Sequence, residues 1–428
     1  MSKSALARFE DAVSDARAGR SEAALSALET LAAEGVTSAA LSLQRALVLD
    51  ELGRTEESET VLVTALATFP TDPGLHTAYA KALWRRGEHD AFTAAFEAAV
   101  EQRPDDAGLR LGCADILRRA GFLARAEALL RHGTHDDEPI LSGALGVLLD
   151  EQDRTQEALP LLQRALTLAP ERENARIALA HAYLRLGESE AAAALIAPMR
   201  VQKPTSQLWI CLESMALRQS GDPRYHWLCD YERMIQSYEL PVPVGHDSTA
   251  AFNVAFAKVL LSLHTGREHP LDKTLRNGTQ SSQDLRNTDA PEVRAYFEAL
   301  REPIAAYIGA MSDPEHPWSG RRSADFTFAS AWSVRLRAGG YHVNHIHSAG
   351  WISSAYYVTL PDATQDAATR QGWIKFGEPP LAIPGCTVER VVEPRAGRLV
   401  LFPSYFWHGT IAFSRGERLT APFDVAPA

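Results

Sequence analysis

The 428-residue sequence predicts two architectures in series: an all-α solenoid of stacked helical hairpins over residues 1–236, then a double-stranded β-helix, or jelly-roll, domain with flanking helices over 237–428. Three observations carry this expectation. Glycines recur at a fixed spacing through the first half, apolar residues alternate with period two after Asp325, and a stretch holding Pro241, Pro243 and Gly245 separates the two patterns.

The repeat is read from its turns. Gly19, Gly53, Gly87 and Gly121 follow one another at 34 residues, and Gly187 and Gly221 are again 34 apart. The interval of 66 between Gly121 and Gly187 holds DEQDRTQEAL, in which Asp153 takes the glycine's place. Pro70, Pro104, Pro170 and Pro204 each stand 17 residues beyond a turn position, where a proline ends the second helix of a unit. Ala65, Ala99 and Ala165 supply a small residue where one helix must approach its neighbour closely. Segments such as GLHTAYAKALWRR carry apolar positions at helical spacing, so each unit is predicted to be a helix, a tight turn and a second helix.

Helices of this kind cannot bury their apolar faces alone, and stacking predicts a right-handed solenoid with a concave groove. The period, the terminal proline and the alanine five residues after the turn (Ala24, Ala126, Ala158, Ala192) resemble the tetratricopeptide repeat over roughly residues 3 to 235. The resemblance implies a groove for a peptide or partner protein; self-association or a rigid mount for the second half is the alternative.

Beyond an expected extended linker at ELPVPVGHDS come a helix, STAAFNVAFAKVLLSLHTG, a polar stretch, LRNGTQSSQDLRN, and a second helix, APEVRAYFEALREPIAAYIGAM, expected to kink at Pro303. Arg276-Asn277-Gly278-Thr279-Gln280 reads as a lid over a site or as a solvated turn. Strands are then expected in DFTFASAWSVRLR, WISSAYYVTLP, GWIKFGEP, TVERVVEP, GRLVLFP, GTIAFS and RLTAPFDV, closing a jelly roll with helices outside it. Trp332, Tyr356, Trp373 and Trp407 are expected in its core. His246, His264, His269 and His316 are expected at the surface or in structural roles.

Chemistry concentrates in NHIHSAGW and in LVLFPSYFWHGT. His345 and His347, two apart on a strand, share a face, and the turn at Pro403-Ser404 can bring His408 beside them. Two or three converging imidazoles suit iron, zinc, copper or nickel. Ten residues after His408 stands Arg418, whose fork of donors suits a carboxylate.

This ordered set resembles the Fe(II)/2-oxoglutarate dioxygenases. NHIHSAGWISSAYYVTLP, GRLVLFPSYFWHGT and PLDKTLRNGTQSSQDL look like one bacterial and phage branch of them that often follows tetratricopeptide repeats. The resemblance spans roughly 240–428. It implies His345 and His408 as iron ligands, Arg418 as the anchor of the 2-oxoglutarate distal carboxylate, and Thr420 and Tyr357 as auxiliary donors. Most relatives carry Asp or Glu where this chain has His347. The third ligand is therefore left open among neutral His347, water, and a set using His342 with Asn344 at the acidic position.

The implied activity is O2-dependent hydroxylation of a peptide or protein side chain or of a small amino-acid-like metabolite. The rivals are a scaffold with a degenerate barrel and a three-histidine dioxygenase that uses no keto acid. A formal charge of −11 and a pI near 5.7 argue against nucleic acid as partner. Cys113, Cys211, Cys229 and Cys386 lack ligand spacing and suit buried thiols in a reducing compartment. With no export signal at MSKSALARFEDAV and no membrane-length apolar run, a cytoplasmic protein is expected.

Overall fold

A computed structural model describes residues 3–132, 138–310, 313–323 and 325–428. In its first half, hairpins follow one another: Lys3–Arg17 with Ser21–Ala33, Ala39–Glu51 with Thr55–Thr68, Pro73–Arg86 with Ala94–Gln102, Ala107–Arg119 with Leu123–Arg131, Pro139–Glu151 with Thr155–Leu168, and Glu173–Arg185 with Ser189–Gln202. The helix Gln207–Ser220 follows. All six repeat glycines adopt φ between +70° and +86°, and Asp153 adopts +61°. The left-handed turn is thus kept where glycine is lost, and the acidic side chain tolerates it better than a branched one. The alanines five residues after the turns, Ala24, Ala126, Ala158 and Ala192, have no exposed surface, so each marks a point of close helix contact. Ser38, Asp72 and Asp106 cap helices by accepting from the amides of Leu41, Leu75 and Leu109 at 2.9–3.1 Å.

The second half is an antiparallel β-sandwich. Its strands are β1 Gln236–Glu239, β2 Leu275–Gln280, β3 Phe326–Ala331, β4 Val334–His342, β5 Ile352–Thr359, β6 Ile374–Phe376, β7 Arg390–Val392, β8 Arg398–Pro403, β9 His408–Thr410, β10 Arg418–Thr420 and β11 Phe423–Pro427. The larger sheet runs β1-β8-β5-β10-β4-β2, with β11 pairing β3 and β5; the smaller runs β7-β6-β9. The expected class, a helical solenoid followed by a jelly-roll domain with flanking helices, is the architecture observed.

Three local expectations are corrected. Residues 276–280, read as a lid or a solvated turn, belong to edge strand β2, paired with β4. Polar composition misled there because the backbone of β4, one buried polar contact and one close backbone approach hold the strand. Thr279 is buried against His264, and a Cβ at Gly278 would lie 2.3 Å from the Arg335 carbonyl. Glu239, expected to open an extended linker, instead ends β1, which pairs with β8. DFTFASAWSVRLR, expected as one strand, breaks at Trp332-Ser333 into β3 and β4.

The helix Pro291–Ala310 runs as one element through Pro303, and Met311, expected as its last residue, lies outside the described residues. No described helix is long and apolar enough to cross a membrane.

The two halves are packed together. One apolar cluster joins Trp209 and Met215 of the solenoid to Phe376, Phe402 and Trp407 of the sandwich, and Trp407 Nε1 lies 3.1 Å from Met215 Sδ. Arg218 donates to the carbonyls of Gly377 and Thr387 at 2.9 and 3.0 Å. Nearer the N-terminus, Trp84 Nε1 donates to the His269 carbonyl at 2.9 Å, and Lys81 pairs with Asp272 at 3.1 Å. The helical stack therefore holds the sandwich along its own length.

Candidate metal centre

Backbone pairing brings the histidines together. His345 and His408, 63 positions apart, form an isolated antiparallel bridge in which each amide donates to the other's carbonyl, at 2.8 and 3.0 Å. The His347 amide donates to Ser404 at 2.9 Å, which ties the HIH segment to the turn before β9. Gly409 permits this approach, because a Cβ there would lie 2.2 Å from Asn344 Oδ1 and 2.9 Å from the His342 carbonyl.

Each of the three imidazoles has its Nδ1 engaged by an acceptor: His345 by the Val343 carbonyl at 2.8 Å, His408 by the Phe406 carbonyl at 2.9 Å, and His347 by Asp424 Oδ1 at 2.6 Å. A carbonyl or carboxylate oxygen only accepts, so each Nδ1 carries a proton, and in the neutral ring Nε2 is then the nitrogen left to offer a lone pair. The ligand atoms of His345, His347 and His408 all lie within 4.8 Å of one another, with His345 Nε2 and His347 Nε2 at 3.1 Å. Burial, with His347 adding to it, pulls His345 down to about 3; burial and the neighbouring His345 hold His408 well below the ordinary imidazole value. Neutral rings with fixed tautomers are the form a cation needs.

His342 stands apart from this set. Its ring lies 5.8 Å from that of His345, and its Nδ1 is 3.2 Å from Thr274 Oγ1.

Arg418 and Thr420, on β10, are buried beside the same cavity, which encloses about 470 Å³. Arg418 Nη1 donates to the Gly372 carbonyl at 2.9 Å, and its guanidinium lies 5.1 Å from the centre of the Tyr357 ring. Burial pushes the Arg418 guanidinium below its ordinary value, and no described carboxylate pairs with it. Arg418 Nε and the Tyr357 hydroxyl are buried without a hydrogen-bond partner. Two unmet donors in one buried region are costly unless an acceptor joins them, so these residues fit a carboxylate-bearing ligand. The imidazole set fits a borderline transition-metal ion.

Three contributors escaped sequence reasoning. Asp424, in APFDV on β11, accepts from Ser353 Oγ at 2.7 Å and Ser330 Oγ at 3.3 Å as well as from His347. Its burial opposes ionisation most strongly, yet His347 and the serines outweigh that and hold the carboxyl below the usual range. The available signal was one acid flanked by Phe423 and Val425 in a strand otherwise apolar. Thr274 touches His342 and His345, and nothing in its sequence context marks it. Trp332, expected in the core, is only half-buried; it lines the cavity with its ring 5.6 Å from that of His347. The break between β3 and β4 is what turns it inward.

Comparison with known proteins agrees with both halves. Residues 330–424 match the family model described as "Putative 2OG-Fe(II) oxygenase". Residues 9–73, 43–107 and 151–210 match tetratricopeptide-repeat models. No curated protein matches the chain. Among solved structures, a prolyl-4-hydroxylase of Pseudomonas putida is 16% identical, covering 46% of this chain and 95% of its own, with a TM-score of 0.32. The viral collagen prolyl hydroxylase of Paramecium Bursaria Chlorella virus-1, solved with 2OG, is 12% identical over 47% of this chain and 99% of its own, with a TM-score of 0.31. A tetratricopeptide repeat protein from Parabacteroides merdae is 12% identical over 52% of this chain and 89% of its own, with a TM-score of 0.38.

Proposed function

We propose that this chain, which matches tetratricopeptide repeats in its first half and an Fe(II) oxygenase in its second, is a 2-oxoglutarate- and Fe(II)-dependent hydroxylase. One observation carries the reading: three imidazoles converge beside a buried guanidinium and a buried phenol that both lack partners. His345, His347 and His408 would hold the metal. Arg418 would grip the distal carboxylate of 2-oxoglutarate, with Tyr357 and Thr420 donating beside it. Fe(II) bound with 2-oxoglutarate supplies the oxidising power to hydroxylate a C–H bond using O2, with succinate and CO2 as companion products.

The protein's own share is positioning and exclusion. The Nδ1 acceptors lock three rings in one tautomer, so that metal capture requires little reorganisation. A third histidine leaves the ligand set one charge more positive than a carboxylate would, and Asp424 restores that charge one hydrogen bond away through His347. Trp332 walls the cavity beside His347.

The test is anaerobic addition of Fe(II) and 2-oxoglutarate to the full-length protein, watched for the visible charge-transfer band of the chelate, followed by succinate release in air. The wild type should give both and His408→Ala neither. Absence of band and succinate from the wild type overturns the reading and favours the scaffold. The three-histidine set keeps one rival open: oxygen uptake with substrate but without 2-oxoglutarate would assign the centre to a dioxygenase that needs no keto acid.

A further inference from the structure

We infer that the substrate of this centre is a basic polypeptide segment, which enters along a cleft between the helical stack and the sandwich; the inference rests on the oxygenase reading above. The cleft encloses about 960 Å³. One wall comes from the helices Ala39–Glu51, Thr55–Thr68 and Pro73–Arg86, the other from residues 265–273 and 280–282 of the second half. It opens into the metal cavity, because Asp272, Lys273 and Gln280 line both.

Size separates two classes of substrate. A small metabolite would be housed by the cavity of about 470 Å³ and would leave the larger space beside it without a task. An extended chain, advancing about 3.3 Å per residue, needs such a run-up to present one side chain at the metal. The cleft walls are also fixed relative to one another, by Trp84 Nε1 on the His269 carbonyl at 2.9 Å and by the Arg267 amide on the Arg85 carbonyl at 2.9 Å. The approach is therefore built into the junction of the two halves.

Charge selects the occupant. Carboxylates outnumber cations along the lining seven to four. Arg85 is neutralised by Asp50 at 2.6 Å, Arg86 by Glu59 at 2.6 Å, and Asp272 is taken by Lys81. Glu51 and Glu56 on the helical wall and Glu268 on the other have no cation within ion-pair reach among the described residues, against two lining cations, Arg267 and Lys273, without a carboxylate, so the unpaired charge is still acidic by one. Lysine or arginine side chains flanking the reacting residue would meet these three, whereas an acidic segment would be repelled.

The experiment uses the full-length protein under anaerobic conditions, with and without Fe(II) and 2-oxoglutarate. Two fluorescein-labelled pools of short peptides are titrated by anisotropy, one with lysines at fixed positions and one with glutamates in their place. The lysine pool should bind, weaken as salt is raised, and bind roughly tenfold more weakly to the triple variant E51Q/E56Q/E268Q. E22Q/E29Q/E190Q, altered outside the cleft, should behave as wild type. Equal binding of both pools, or an unchanged triple variant, overturns the inference even when the chelate band is intact. So does succinate release driven by free amino acids at a kcat/KM equal to that with the lysine pool. A missing chelate band bears on the hydroxylase reading alone, since anisotropy needs no turnover.

Discussion

His347 Nδ1 lies 2.6 Å from Asp424 Oδ1, and the same carboxylate is held by Ser353 at 2.7 Å. The pair couples the second histidine of the HIH segment to the last strand of the sandwich. Asp424→Asn keeps an acceptor but removes the charge, and Asp424→Ala removes both. Metal affinity, read by Co(II) titration of the full-length protein, should fall about 10- to 100-fold in the alanine variant and less in the asparagine variant. Equal affinities in all three proteins would remove Asp424 from the centre.

Arg418 and Tyr357 form a second pair with a separable effect. Arg418→Lys keeps charge but loses the fork, and Arg418→Ala loses both. Loss of 2-oxoglutarate affinity should reach about 30-fold or more in the alanine variant, with Co(II) affinity close to wild type. Tyr357→Phe should cost about fivefold, the worth of one neutral hydrogen bond. Isothermal titration with 2-oxoglutarate checks all three variants.

Gly409→Ala tests the close approach behind His408. The new methyl would meet Asn344 Oδ1 and the His342 carbonyl, and backbone cannot move aside cheaply. Destabilisation of about 1–3 kcal/mol is expected from the overpacking, measured by urea unfolding, with metal affinity lowered as the His345–His408 bridge opens.

His264 gives a pH dependence outside the metal centre. Its Nδ1 lies 2.8 Å from Thr279 Oγ1 and its Nε2 3.0 Å from Ser333 Oγ. Burial, with Arg335 and Arg337 adding, pulls it to about 4 from an ordinary 6.5. Between those values the unfolded chain binds a proton that the folded chain does not. Stability should therefore rise with pH across this window and be lost as pH falls from about 6.5 toward 4. His264→Gln should lower the slope of unfolding free energy against pH by up to one proton; an unaltered slope would show that the site does not titrate in this way.

Read alone, the chain determined what depends on local periodicity. The repeat turns were legible down to Asp153, because a left-handed turn admits few residues and recurs at a fixed interval. The clustering of the HIH segment with His408, and Arg418 beside them, was legible as a candidate site because metal and carboxylate chemistry restrict residue types. Tertiary structure decided the rest. The third imidazole faces the other two because the backbones of His345 and His408 pair across 63 positions, and Asp424 joins them because β11 lies against β5. Residues 276–280 became an edge strand only because β4 was there to receive them. Hydrogen bonds between distant strands leave no mark in short-range spacing, so the partners of a ligand stay hidden until the sheets are assembled.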